Sequence, residues 1–353
     1  MKKRLTIYPF VEEAIPLLRN KDKINEFEIV HCIMPNDWTI DTDDEEVLKK
    51  LCPVSEFYSQ DYINETDVLL ICKPKQDVEF SFYSDIINHV RENRKQLMYV
   101  KELSQIIKNV VIADDVFLNQ TDESIAFTSS ELSDITVPVI MVLGLGENCD
   151  KFNIQLGLWD YFIKSGYKAS LISSNVIAKI MNADLIPSFI DSPELTFSQQ
   201  VLHVNKYVKS VQEKSNPNVI VMGVPGGVIK YNQAIPNGYG YTQFVIGNAI
   251  KPDVSILSLY CGEYKLEYIK EMQQVCHYRF GINVGYFHIS NKALDYDIET
   301  KKLNYFTVDM SYHIENVVKP QEHIPAFNIY DNKSSEMVFS SIMEELQTNV
   351  SAI

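Results

Sequence analysis

The residues of this chain best suited to chemistry lie in one stretch, Val137–Lys151, read Val-Pro-Val-Ile-Met-Val-Leu-Gly-Leu-Gly-Glu-Asn-Cys-Asp-Lys. An apolar run rich in β-branched residues stops at Gly144 and Gly146. Lys151 follows, and then an amphipathic stretch from Phe152 to Ser165. Strand, glycine-bearing loop, lysine, helix is the order that builds a phosphate cradle from backbone N–H groups and a helix N-terminus. Gly144, Gly146, Glu147, Asn148 and Lys151 are therefore candidate binding residues, with ATP or GTP as the ligand such a cradle takes. The pattern is degenerate. A full phosphate loop ending at Lys151 has Gly at 145 and 150 and Ser or Thr at 152, where this chain has Leu145, Asp150 and Phe152.

Those departures have physical costs. Asp150 sets a carboxylate beside the lysine, where phosphates lie. Two like charges about 4 Å apart repel by roughly 1 kcal/mol in water and about 4 kcal/mol at an effective dielectric near 20. A helix N-terminus returns only about 0.3–1 kcal/mol to an anion. Unless Asp150 points away, a triphosphate loses. Phe152 also removes the hydroxyl that holds Mg²⁺ in such loops. The expectation is an anion or nucleotide site without efficient turnover, against the plainer alternative of a structural strand–turn–helix.

Three further segments bear on a site. Met222-Gly223-Val224-Pro225-Gly226-Gly227 ends the apolar run Val219–Met222, and Gly226 and Gly227 let a backbone approach a ligand closely. Asn237-Gly238-Tyr239-Gly240-Tyr241 is an aromatic loop able to close over a ligand or to be only a loop. Gly285-Tyr286-Phe287-His288-Ile289-Ser290-Asn291 ends another predicted strand. An amide such as Asn291 at a strand end can read a purine edge through its paired donor and acceptor, although Asn is also a common turn former. His288, inside that strand, is expected to pack in the core.

The six cysteines, at 32, 52, 72, 149, 261 and 276, form no Cys-x-x-Cys pair. Cys32 and Cys72 sit in apolar runs, where cysteine acts as a small hydrophobe. Cys276 and His277 adjoin and would fall on opposite faces of a strand, a weak metal arrangement. Cys149, near a lysine and a helix start, is in a setting that can lower a thiol pKa. No Ser/His/Asp set, carboxylate pair or metal-ligand spacing stands out.

The elements that must position these residues fall into two halves. All 13 glycines lie between Gly144 and Gly285. In the first half Leu5–Tyr8, Phe27–Met34, Asp67–Cys72, Leu97–Val100 and Val110–Ala113 read as short buried strands, with helices at Val11–Arg19, Phe82–Lys95 and Glu102–Ile107 between them. Such alternation predicts a parallel sheet covered on both faces. The first strand runs into Tyr8-Pro9-Phe10 rather than a Gly-x-Gly-x-x-Gly turn, which argues against a dinucleotide site. The acidic region 36–60 reads as a loop with a short helix, and the polar stretch 118–136 as the interdomain linker.

In the second half strands are expected at 138–143, 167–172, 219–222, 254–260 and 282–289, with an edge strand at 303–308. Helices are expected at 152–165, 196–214, 242–249, 263–275 and 332–347. With 353 residues, 46% of them hydrophobic, the chain can bury two cores. The net charge of −15 disfavours nucleic acid and anionic membrane as partners and suits a basic peptide or protein face. No apolar run reaches the roughly 18 residues of a membrane span, and no secretion signal is legible at the start, so a soluble, cytoplasmic protein is expected.

Over about residues 137–300, the degenerate loop, Gly166-Tyr167-Lys168-Ala169-Ser170-Leu171-Ile172, the strand ending in Gly-Gly and the strand ending in Asn291 resemble the dethiobiotin synthetase branch of P-loop NTPases. That resemblance implies that the Gly-Gly turn and the strand-end Asn line a nucleotide site. Over the whole chain, Ile7-Tyr8-Pro9-Phe10, Gly144–Phe152, Gly223–Gly227 and Tyr278-Arg279-Phe280-Gly281 make it similar to a peptide-maturation-system family. That family accompanies ribosomally made, cysteine-rich peptides and their modifying enzymes. The expected architecture is α/β, with a Rossmann-like parallel-sheet domain at 1–130 and a P-loop NTPase-like domain at 131–353. The implied role is that of an accessory protein in maturation of a ribosomally synthesised peptide. It would bind a precursor peptide or a peptide-modifying enzyme, with an ATP-dependent ligase or transferase acting on a carboxylate or peptide as the alternative.

Overall fold

The computed structural model describes residues 2–35, 54–55, 60–73, 81–100, 103, 116–118, 130–235, 239–318 and 326–350. The expected strand at 110–113, all but residue 103 of the helix at 102–107 and most of the acidic region 36–60 lie outside the described residues, as does 119–129 of the expected linker. The chain forms two compact α/β units. One comprises Met1–Thr121 with Asn175–Leu185, the other Asp122–Ser174 with Ile186–Ile353. The excursion at Asn175–Leu185 belongs to a stretch that a single division at 130/131 assigns to the second domain.

The first unit is built on strands β1 (Lys3–Tyr8), β2 (Phe27–Ile33), β3 (Val54–Ser55), β4 (Val68–Ile71), β5 (Gln96–Tyr99) and β6 (Val116–Phe117). Their order is β3-β2-β1-β4-β5-β6, with every paired neighbour parallel. This is the doubly wound order of Rossmann-like sheets. Strands covered on both faces need continuous apolar runs, and β4, Val-Leu-Leu-Ile, is buried throughout. Helices α1 (Ile15–Arg19), α2 (Gln60–Glu65) and α3 (Ser81–Glu92) accompany it. Helix α3 buries Tyr83, Ile86, Ile87 and Val90, the one-sided spacing of an amphipathic helix. After β1 the chain runs through Pro9-Phe10-Val11 into a 3₁₀ turn that starts with Glu12 and Glu13, with no glycine fingerprint for a pyrophosphate. A 3₁₀ segment (Val176–Met181) and the two-residue strand β9 (Asp184–Leu185) complete the unit.

The second unit contains β7 (Val139–Gly144), β8 (Ala169–Ser173), β10 (Val219–Gly223), β11 (Val254–Leu259), β12 (Tyr286–Ile289) and β15 (Ala326–Phe327), in the order β15-β12-β11-β7-β10-β8 and parallel throughout. Strand β7 lies between β10 and β11, and all six of its residues are buried. Helices α4 (Lys151–Lys164), α5 (Phe197–Ser215), α6 (Tyr241–Ala249), α7 (Leu266–Phe280), α8 (Met310–His313) and α9 (Asn332–Val350) follow in chain order. Helix α5 starts at a capping box between Thr196 and Gln199. Helix α7 ends at Gly281, whose φ of 70° is the left-handed C-terminal turn that glycine adopts without strain.

Three expectations are corrected. Cys276 and His277 lie in helix α7, not in a strand, so they are not an across-strand metal pair. The strand expected at 282–289 begins at Tyr286. Its first residues are held by α7 instead, through Ile282 N–H to the Cys276 carbonyl, His277 Nδ1–H to Asn283 Oδ1 and Gln273 Nε2 to the Val284 carbonyl. The segment expected as an edge strand at 303–308 is β14 (Lys302–Thr307), which pairs antiparallel with β13 (Lys292–Asp297) in a separate two-stranded hairpin.

Helices α6 and α7 meet at Gly247. A Cβ there would stand 2.1 Å from the Phe280 carbonyl oxygen, a backbone atom that cannot rotate aside. Gly247→Ala is expected to destabilise the fold by about 1–3 kcal/mol, the usual cost of overpacking. Urea unfolding measures this, and an unchanged midpoint would contradict the packing described.

Candidate functional site

The loop between β7 and α4 is shaped by two left-handed residues, Asn148 (φ 53°) and Asp150 (φ 60°). Asparagine and aspartate tolerate that region better than other non-glycine residues. Most of the loop's carbonyls are taken by a neighbour. Gly144 O accepts from Val228 N–H at 3.0 Å, and Gly146 O from the Cys149 thiol at 3.3 Å. Glu147 O accepts from the Tyr260 hydroxyl at 2.6 Å, Cys149 O from the Ser258 hydroxyl, and Lys151 O from Gln155 Nε2 at 3.0 Å. The N–H groups behave oppositely. Leu145 N–H donates to Ser258 O, but from Gly146 to Asn153 no backbone N–H has an acceptor among the described residues. Carbonyls tied inward and amides left unmet are what an anion-binding nest at a helix N-terminus requires.

Lys151 is buried and already engaged. Its Nζ lies 2.6 Å from the Gly226 carbonyl and 3.1 Å from Glu147 Oε2. The other oxygen of Glu147 accepts the Gly226 N–H at 2.6 Å. Glu147, Lys151 and Gly226 thus form a closed clasp between the loop and the turn after β10. Of the sequence-predicted residues, the structure brings together Gly144, Gly146, Glu147, Asn148, Lys151, Gly226 and Gly227. Gly227 is wedged against the loop, where a Cβ would stand 2.3 Å from Leu145 O and 2.7 Å from Gly146 Cα. Gly227 O also accepts from Gly240 N–H at 3.0 Å, which links the turn to the start of α6. Residues 237–238 of the aromatic loop lie outside the described residues.

Asp150 does not point at the lysine. Its Oδ2 accepts the Ser290 hydroxyl at 2.5 Å. Its Oδ1 accepts the Tyr330 hydroxyl at 3.0 Å and Asn153 Nδ2 at 3.1 Å. The carboxylate expected to repel phosphate is spent instead on fastening the start of α4 to the ends of β12 and β15. Phe152 is buried and supplies no hydroxyl. Asn291 follows Ser290, and its Nδ2 is held by the Val308 carbonyl at 3.1 Å, while its buried Oδ1 has no partner. Cys149, whose sequence setting can lower a thiol pKa, is buried here, and desolvation pushes its pKa up to about 11 instead.

His288 is fully buried, as expected of a core residue. Because the Ser258 hydroxyl donates to Cys149 O, it accepts from His288 Nδ1–H at 2.8 Å, which leaves Nε2 as a bare, unpaired acceptor. Burial pulls the His288 pKa down to about 4.

Neither a family model nor a curated protein matches this sequence. Solved structures do. A DUF1611 family protein from Anabaena variabilis is 10% identical over 97% of this chain and 100% of that one, with a TM-score of 0.66. That likeness shows the fold across both units. An LAO/AO transport system kinase is 13% identical over 61% of each chain at a TM-score of 0.35. A nucleotide-binding protein in complex with ADP from Archaeoglobus fulgidus is 13% identical over 56% of this chain and 85% of that one at a TM-score of 0.32. The last two likenesses are too loose to carry an argument about this chain.

The buried imidazole makes stability depend on acid. As pH falls below about 6.5, the unfolded chain protonates its histidine before the folded protein does, so the stability contributed by neutral His288 is full above 6.5 and drains away toward pH 4. Melting temperatures from pH 7.5 to 4.5 should fall more steeply in the parent protein than in His288→Gln. Equal slopes would contradict the assignment.

Proposed function

We propose that this protein holds a phosphate-bearing ligand, ATP or GTP, on the amides of residues 146–153 without hydrolysing it efficiently. We propose also that it serves as an accessory in maturation of a ribosomally synthesised peptide, through a bound precursor peptide or peptide-modifying enzyme. The observation that carries the ligand half is the run of unmet N–H groups at the N-terminus of α4, beside carbonyls most of which are taken by protein donors. Two features support slow turnover. Glu147 already neutralises Lys151, so an incoming phosphate gains little from that charge, and the buried Phe152 offers no hydroxyl to a metal. The partner half is supported by the family-like segments in both halves of the sequence and by the net charge of −15, which suits a basic leader peptide or enzyme face. No described helix is long and apolar enough to cross a membrane.

Calorimetry with Mg-ATP, Mg-GTP and their diphosphates should give weak, measurable heats, abolished by Gly227→Ala, which displaces the loop, and weakened by Lys151→Ala, which leaves the Glu147 carboxylate unneutralised beside the ligand. Glu147→Gln should tighten binding about tenfold, equivalent to ~1.4 kcal/mol, because it frees the lysine and removes a negative charge from the site. Absence of heat with every ligand, or binding unchanged in Gly227→Ala, would contradict the site. Rapid phosphate release by the isolated protein would favour a ligase-type enzyme instead. Recovery of a precursor peptide or modifying enzyme from the native host, lost as salt screens charges over about 10 Å at 0.1 M, tests the partner half.

A further inference from the structure

Just beyond the C-terminal end of β11, a partly exposed cysteine meets a buried histidine. Cys261 Sγ lies 3.4 Å from His313 Nδ1, and His313 Nε2 lies 3.1 Å from the Ile289 carbonyl. A carbonyl can only accept, so Nε2 carries the ring proton and Nδ1 is the acceptor of the thiol S–H. The Ile289 carbonyl is itself fixed, since it also takes Asn328 Nδ2 at 2.8 Å. Nucleophile, base and orienting group are therefore in line, the arrangement that activates a weak nucleophile. Cys261 is also singular. Cys32, Cys72, Cys149 and Cys276 are buried, Cys52 lies outside the described residues, and Cys261 alone of those described is partly open to solvent.

Burial lowers the His313 pKa and raises that of Cys261. The resting pair is a neutral thiol and an unprotonated imidazole, the state in which the ring can take a proton. A second unmet group lies at the end of the neighbouring strand, β12. Cys261 N–H donates to Lys292 O at 2.8 Å, and the residue before that lysine is Asn291, whose buried Oδ1 has no donor. A ligand carrying an amide N–H would satisfy it.

We propose that Cys261 is a nucleophile and His313 its general base, and that the pair takes the acyl group of an activated acyl compound, a thioester or an acyl phosphate. Sγ attacks the acyl carbon as its proton passes to His313 Nδ1. A new C–S bond forms, and the bond from the acyl carbon to the departing sulfur or phosphate oxygen breaks with its electron pair. A departing thiolate recovers the proton from the imidazolium. A departing phosphate likewise takes the proton from the imidazolium on its leaving oxygen and departs as hydrogen phosphate. No electrons are gained or lost. The step does not depend on anion binding at residues 146–153, because a thioester donor carries no phosphate.

The test uses the full chain with S-acetyl-N-acetylcysteamine in one arm and acetyl phosphate in the other, followed by timed quenching and peptide mapping by mass spectrometry. Acetyl should appear on the Cys261 peptide at least tenfold faster than on free N-acetylcysteine, and be absent there in Cys261→Ala. His313→Ala should slow it about 100-fold, the scale of general-base catalysis, and added imidazole should restore part of the rate, which a purely structural histidine would not allow. Labelling by one donor only identifies the donor class and supports the pair. A wild-type rate equal to that of the free thiol overturns the proposal without recourse to any variant. So does an unchanged rate in His313→Ala that melts like the parent.

Discussion

In the loop between β7 and α4 most carbonyls are taken by protein donors, while the N–H groups from Gly146 to Asn153 have no acceptor among the described residues, and the chemistry available at this edge of the sheet depends on that difference. Ser258 and Tyr260 from β11 and its extension, Val228 from beyond β10, and the loop's own Cys149 take those carbonyls. Each contact is a modest hydrogen bond, worth roughly 1 kcal/mol net. Together they hold the left-handed turns at Asn148 and Asp150, and those turns present a row of N–H groups to whatever approaches the start of α4.

Two acidic residues decide what that row can do, and they act in opposite senses. Asp150 is removed from the site by Ser290, Tyr330 and Asn153, so its charge strengthens the frame rather than opposing a ligand. Glu147 stays at the site, about half exposed, and occupies both Lys151 and the Gly226 N–H. An anion arriving there must share the lysine with a carboxylate. Binding by amides and helix dipole, with the lysine largely neutralised, is the physics of a holding site more than of a phosphoryl-transfer centre, where an uncompensated cation and a metal-binding hydroxyl stabilise the transition state.

Much of this was legible locally. The β7–loop–α4 order follows from an apolar run, two glycines and a lysine within fifteen residues, and alternation of strand and helix forecast the parallel sheets of both units. The Gly-Gly turn was also readable, because only glycine fits where Gly227 meets Leu145 and Gly146. What was not legible depends on distant partners. The direction of Asp150 is set by residues 140 and 180 positions further along. Cys261 and His313, 52 positions apart, form no motif in the sequence and meet only once the segment after the hairpin β13–β14 is folded. The segment 282–285 misleads for a similar reason, since its apolar residues look like strand but are captured by α7.

The central proposal is that the amides of Gly146–Asn153 bind an anion. Its most direct measurement is the set of backbone N–H chemical shifts of the ¹⁵N-labelled protein during titration with pyrophosphate. The account predicts saturable shifts concentrated on Gly146 through Asn153 and larger in Glu147→Gln. Shifts spread evenly over surface lysines, with those amides unmoved at saturating anion, would contradict it.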